Sequence, residues 1–269
     1  MPVVSSILVP VDFSERSAPA ARYARALAHQ FGATLTLLHT LAPLAPEFSG
    51  AGIGGSMLAE IQQQRRNRAA GEMQNFAETI GTAEWLVEEG DPAQSIVSTA
   101  HQRADLIVMP THGYGPFRRY ILGSTAAKVL HDADCPVWTG VHIENAAVDP
   151  PPLARILCAV DLGPQSSKTL FWGASLALEF GAALTLLHVT LGAADAARHE
   201  LEALLHFVHA EAEIVVETGD PGAAICTAAG RMDADALVIG RGSAAGVYGR
   251  LRANAYTLIR QSPCPVVSV

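Results

Sequence analysis

The chain has 269 residues, of which 49% are hydrophobic and 16% charged, and its formal net charge is -8. That length holds two ordinary domains or one large one, and the composition is that of a folded, well-buried protein and excludes disorder. The acidic balance removes any electrostatic case for nucleic acid and equally disfavours an anionic membrane surface.

From the N-terminus, Met1 to Ser6 carries no basic region followed by a long apolar run, so no signal peptide is expected. Ile7–Val11 is a short, branched apolar run and predicts a buried strand. Ser14 or Ser17 can cap the helix that follows, whose Ala20, Ala24, Leu27 and Phe31 share helical spacing. Gly32 stands where a helix ends in a left-handed residue. Thr34–Thr40 predicts a second strand, and the glycine-rich stretch Gly50–Ser56 after it reads as a loop or a lid. Met57–Ile80 is long and polar, a surface helix. Trp85–Glu88 predicts a third strand. Asp91-Pro92 supplies an N-cap and an N1 proline, a strong helix start. Leu106–Pro110 predicts the fourth strand, Ser124–His131 a helix and Pro136–Val141 the last strand.

The whole pattern then returns. Phe31–His39 recurs as Phe180–His188 with one difference, Ile7–Asp12 as Ile156–Asp161, Gly90-Asp91-Pro92 as Gly219-Asp220-Pro221, and Cys135-Pro136-Val137 as Cys264-Pro265-Val266. The shared order marks a duplication. Residues 144–153 hold Pro150, Pro151 and Pro152 and read as a linker between units at 1–143 and 154–269. Strand–helix alternation in each unit implies an α/β fold, an open, mainly parallel sheet with helices on both faces. Such sheets bind ligands beyond the carboxyl ends of their strands, where the strand order reverses.

Function is therefore sought after strands one and four. Strand four leads into Met109-Pro110-Thr111-His112-Gly113, and Gly123-Ser124-Thr125 follows ten residues after Gly113 to open a helix. Glycines let backbone N–H groups approach a phosphate, a helix N-terminus adds unpaired donors, and Arg118 and Arg119 lie between them. Neither a G-x-x-x-x-G-K-[ST] loop nor a G-x-G-x-x-G after the first strand occurs. The same glycines can equally do no more than shape a loop. Asp12, leaving strand one, can accept from an adenine amino group or a ribose hydroxyl, or can fold its own turn; Asp161 repeats it.

These residues resemble the universal stress protein family over nearly the whole chain, in two copies. The resemblance implies a five-stranded sheet per copy of the adenine nucleotide alpha hydrolase-like kind, with the last strands of the two copies pairing as an intramolecular pseudo-dimer. It leaves a homodimer and a further protein partner open. ATP-binding members carry G-x2-G-x9-G-[ST], which falls here on Pro110-x2-Gly113-x9-Gly123-Ser124, with proline in the first glycine's place. By analogy Pro10, Val11, Asp12, Thr40 and Met109 would line the base and ribose pocket, and His112, Gly113, Gly123, Ser124 and Thr125 would hold ribose and phosphates. The implied ligand is ATP, with Mg2+ possible and ADP or AMP as alternatives. In the second copy the possible site is Asp161, Gly240, Gly242, Arg252 and Asn254, with Arg252-Ala253 replacing Gly123-Ser124 and marking a degenerate loop.

Other constellations carry less. His199, Glu202, His206 and His209 recur at helical spacing and read as a solvated face before they read as a metal site. His39 and His188 end equivalent strands and read as structural. Cys135, Cys158, Cys226 and Cys264 form no C-x-x-C or zinc spacing, and reduced thiols in a cytoplasmic protein are the plain reading. No nucleophile elbow or H-E-x-x-H occurs. The function expected is a cytoplasmic stress-response protein that binds ATP as a switch, with little hydrolysis. A module that binds no nucleotide is the alternative, and a slow ATPase the third.

Overall fold

The computed structural model describes residues 4–44, 55–82, 84–111, 122–144, 153–241 and 250–269, with the backbone alone at 55 and 250–254. Its first half runs β1 (Ser6–Pro10), α1 (Ser17–Phe31), β2 (Thr34–Leu41), α2 (Gly55–Ile80), β3 (Glu84–Glu89), α3 (Pro92–Arg103), β4 (Leu106–Val108), α4 (Ser124–Asp132) and β5 (Val137–Thr139). The second half repeats this as β6 (Arg155–Ala159), α5 (Ser166–Phe180), β7 (Ala183–Thr190), α6 (Ala194–Val208), β8 (Glu213–Thr218), α7 (Pro221–Arg231), β9 (Ala236–Ile239), α8 (Arg250–Gln261) and β10 (Val266–Ser268).

The strands form one ten-stranded sheet in the order β3-β2-β1-β4-β5-β10-β9-β6-β7-β8. Neighbours within each half are parallel. The halves join where β5 and β10 pair antiparallel, Trp138 opposite Val267, so the two last strands meet as expected. Each covers the other's open edge.

Alternation along the strands builds two cores. Ile7, Val9, Leu37, Val108 and Trp138 face α1 and α2, while Leu8, Leu38, Ile107 and Val137 face α3 and α4. Helices cover both faces because the strands are apolar on both. Phe31 and Phe180, edge to face at 5.3 Å, join α1 to α5 across the halves.

The capping signals separate into those that hold and those that do not. Asp91 and Asp220 accept from Gln94 N and Ala223 N, with Pro92 and Pro221 at the helix starts. Gly32 and Gly181 end α1 and α5 at φ 63° and 61°. Neither Ser14 nor Ser17 caps α1, whose N-cap is Arg16, with no side-chain hydrogen bond to the first-turn amides. The Ser17 hydroxyl turns back to Asp12 instead, a charged acceptor at 2.6 Å. Strand β4 also ends earlier than expected, at Val108. Met109 N still reaches Trp138 O at 3.1 Å, but Pro110 has no N–H to extend the ladder.

Candidate functional site

Strand order reverses between β1 and β4: α1 and α2 lie on one face, α3 and α4 on the other. At the carboxyl ends of these strands opens a cleft of about 280 Å3. Pro10, Val11 and Asp12 contribute from the end of β1, and Leu38, His39 and Thr40 from β2. Pro92 and Ile96 close it from α3; Met109, Pro110 and Thr111 come from the end of β4, and Gly123 to Ala126 from the start of α4. Pro10, Val11, Asp12, Thr40, Met109, Pro110, Gly123, Ser124 and Thr125, distant in sequence, are thus brought round one space. His112, Gly113, Arg118 and Arg119 lie outside the described residues, as does most of Gly50–Ser56.

Part of the cleft lining is apolar, with Val11, Leu38, Ile96 and Met109 buried. Another part is the N-terminus of α4. Gly123, its N-cap, has φ -60° and ψ 144° and offers no side-chain acceptor. Its N–H is taken by Thr111 O at 2.9 Å, and the first turn of α4 holds no acidic residue. The N–H groups of that first turn lack intrahelical acceptors and sit at the positive end of the helix dipole. Such an end favours an anion.

The turn leaving β1 shows why Asp12 alone is ambiguous. Its Oδ1 accepts from Ser14 N at 2.9 Å and Ser17 Oγ at 2.6 Å. Asp161 does the same with Gly163 N at 2.9 Å and Ser166 Oγ at 3.0 Å. Phe13 and Leu162 both adopt φ 59° in these turns. His39 Nδ1 lies 2.8 Å from Val11 O, and His188 Nδ1 2.9 Å from Val160 O, so both histidines tie β2 and β7 to the same turn. The turn is architecture shared by both halves, and Asp12 serves it through Oδ1.

Glu144 was legible only as the first residue of a linker. It is buried, and its carboxylate reaches back under the cleft wall. Oε1 accepts from Thr111 N at 2.9 Å and from the Thr111 hydroxyl, while Oε2 lies 3.1 Å from Arg16 Nε. A proline-rich neighbourhood gave no sign of this partner 33 residues away.

Among the described residues the second half shows no such cleft at this place. At the matching strand ends lies a pocket of about 10 Å3, bounded by Ala159, Val160, Asp161, Thr169 and Gly240 among others. The register that sets Ile156 beside Ala236 and Ile7 beside Leu106 makes Gly240 the counterpart of Pro110 and Arg241 that of Thr111. A Cβ at Gly240 would lie 2.8 Å from Thr169 Oγ1. Arg241 turns away to the first half. Its guanidinium donates to Ala133 O at 2.7 Å and Cys135 O at 2.6 Å, with Leu130 O at 3.4 Å, at the C-terminus of α4. Burial pulls its pKa below the ordinary arginine value, opposed by Cys135 and Asp134, and it remains a cation. Gly242 lies outside the described residues; Arg252 and Asn254 fall in the opening turns of α8, their side chains outside the description.

Elsewhere, His199 Nδ1 faces Asp195 O at 2.8 Å, and the His206 and His209 rings stack at 6.3 Å. Among the described residues no group of three or more His, Cys, Asp or Glu could hold a metal ion, and no helix is long and apolar enough to cross a membrane.

Comparison with known proteins agrees with this geometry. The model of the universal stress protein family matches residues 4–139, 153–205 and 190–269. A universal stress protein of Mycolicibacterium smegmatis is 30% identical over 195 residues, 70% of this chain and 65% of that relative's length, just under two thirds. One of Methanocaldococcus jannaschii is 35% identical over 137 residues, 49% of this chain and 78% of its own. The crystal structure of a universal stress protein from Archaeoglobus fulgidus superposes with a TM-score of 0.74 at 23% identity, covering 99% of this chain and 96% of that one, and so shares the fold. With a sheet of two joined halves and the family pattern running through both, the chain belongs to the universal stress protein family.

Proposed function

We propose that the chain binds an adenine nucleotide, ATP first among them, in the cleft of its first half, and that binding acts as a conformational or partner-directed switch. The observation that carries this is the cleft itself. The apolar lining at Val11, Leu38, Ile96 and Met109 suits a planar base, and the open N-terminus of α4 suits phosphate. Thr40 and Asp12 line the same cleft and supply polar groups suited to ribose hydroxyls. Among the described lining residues Asp12 is the one carboxylate, and its Oδ1 is occupied by the turn. That is a poor base for hydrolysis and a sparse ligand set for Mg2+, so slow or no turnover is part of the proposal. A cytoplasmic setting belongs to the same reading.

A second reading, an interaction module without nucleotide, is favoured by one observation. Pro110 has no N–H, and the Thr111 N–H is taken by Glu144, so the loop's first two positions offer a phosphate no backbone donor.

Calorimetric titration of ATP and AMP into the chain separates them. The expected result is one nucleotide per chain. Gly123→Val, which crowds the approach to α4, should weaken binding by about tenfold or more, roughly 1.4 kcal/mol. Arg252→Gly should leave it unchanged. No heat of binding at millimolar ATP would sink the proposal, and a gain on Arg252→Gly would move the site to the second half. Repeated phosphate release lost on Ser124→Ala would favour the slow ATPase.

A further inference from the structure

The geometry points to Glu144 as a positioning residue for the first-half cleft: through Thr111 it fixes the N-terminus of α4 on which an anion would rest. The chain of contacts is continuous. The Glu144 carboxylate takes both the N–H and the hydroxyl of Thr111, a fully buried residue in the cleft wall. Thr111 in turn accepts the N–H of Gly123, the N-cap of α4, at 2.9 Å. On its other side the carboxylate meets Arg16, the N-cap of α1. Two helix starts on opposite faces of the sheet are therefore tied to one buried carboxylate.

The strength of that tie follows from its chemistry. Hydrogen bonds to an ionised acceptor are roughly twice as strong as neutral ones, and burial removes competing water. A neutral residue in place of Glu144 that offered no acceptor would leave this face of Thr111 without its partner and let the wall relax. The second half offers a contrast: Arg241 stands in the Thr111 position and points elsewhere, and at the matching strand ends the described residues enclose about 10 Å3.

The same turn is anchored to the other half as well. Two residues before Glu144, His142 Nε2 lies 2.9 Å from Ser262 O, beyond the end of α8. The stretch His142–Glu144 thus touches the second half at one end and the cleft wall at the other.

The binding arm of the test rests on the nucleotide reading; the exchange arm does not. Amide hydrogen exchange of the full chain without nucleotide is followed by NMR for wild type, Glu144→Ala, Glu144→Gln and Thr111→Val. The Gly123 N–H should exchange about tenfold faster in Glu144→Ala, while amides of β1 and β2 keep their protection. Glu144→Gln keeps an oxygen toward Thr111 and should restore most of the Gly123 protection. Thr111→Val removes the hydroxyl alone and should raise exchange by about threefold. In parallel, the ATP Kd should rise about tenfold in Glu144→Ala and less than threefold in Glu144→Gln. Unchanged Gly123 protection, or a uniform rise across all sheet amides, overturns the assignment. Should Glu144→Ala fail to fold, Thr111→Val decides it by the same criterion. If the wild type binds no ATP, the nucleotide reading falls while the Gly123 result still tests Glu144.

Discussion

At the ends of β1 and β4 the first half encloses about 280 Å3; at the ends of β6 and β9 the second encloses about 10 Å3. The backbone frame does not explain this. Both halves have the same strand order, a left-handed residue at the same position after the first strand, and an aspartate and a histidine holding that turn. Among the described residues the difference lies in a few side chains. Ala20 and Pro110 are matched by Thr169 and Gly240, so the larger residue has changed sides. Thr40 becomes Val189, which removes a hydroxyl, and Thr111 becomes Arg241, which leaves the site for the interface. One fold twice in one chain can carry a site in one copy and a joint in the other, because function sits in residues placed on the fold.

The sharpest break of this comparison is at Arg241. Arg241→Ala deletes charge-assisted bonds to Ala133 O and Cys135 O and leaves carbonyls at the end of α4 without their donor. A loss of about 3 kcal/mol is expected in urea unfolding. Arg241→Lys should recover less than half, since a point charge cannot reproduce the planar fork. Cys264 matches Cys135, so Ser262 matches Ala133, and His142 sits on Ser262 O as Arg241 sits on Ala133 O. The carbonyl equivalent to Ala133 O is thus met by a weaker donor from a different place in the fold, and His142→Ala should cost about 1 kcal/mol. Equal losses at both sites would show the joint to be symmetric after all.

The next test acts on the filled site. Gly240→Ala would bring a Cβ to 2.8 Å from Thr169 Oγ1, inside any ordinary contact. Thr169 is buried, β-branched and bonded to Gln165 O, so it has little room to yield. Overpacking of this kind costs about 2 kcal/mol. Thr169→Ala in the same chain should return most of it, and a double-mutant cycle in the unfolding free energies reads the coupling. Additive effects would mean that the size exchange with Ala20 and Pro110 is coincidence.

Much of this was written in the sequence, for identifiable reasons. Asp91-Pro92 and Gly32 act locally, through caps whose geometry needs no distant partner, and both do what their residue types dictate. Strand–helix alternation pointed to the ends of the first and fourth strands, and the family resemblance supplied the residues there, from Pro10 to Thr125, that line the cleft. Glu144, Arg241 and Thr169 act over long separations, through partners set by packing. Nothing local distinguishes a carboxylate under a cleft wall from one in a linker. Nor does any local pattern mark an arginine that spans the joint. Ser17 shows the same limit from the other side: a good cap by type, it was drawn to Asp12 because a charged acceptor was nearer.

The smallest expected difference concerns how each half closes the start of its first strand. Asp105 Oδ2 accepts from the backbone N–H and the hydroxyl of both Ser5 and Ser6, at 2.6 to 3.1 Å. Asp235 Oδ2 accepts from Ala154 N and Arg155 N, where no hydroxyls stand. Burial works to raise the Asp105 pKa, but the serine hydrogen bonds outweigh it and hold the carboxyl below its ordinary value. A carboxyl held lower in the folded chain than in the unfolded one stabilises the fold when ionised. That contribution is complete above the unfolded value of about 3.9 and disappears as pH falls through the lower folded value. Urea midpoints at pH 7 should therefore drop on Asp105→Asn by more than on Asp235→Asn. As pH falls through the lowered folded value the wild type itself becomes protonated at Asp105, and the gap between it and Asp105→Asn should narrow. A gap that stays constant as pH falls from 7 to the acid limit of the folded chain would mean that the serines hold Asp105 by shape alone, and that the two halves close their first strands in the same way.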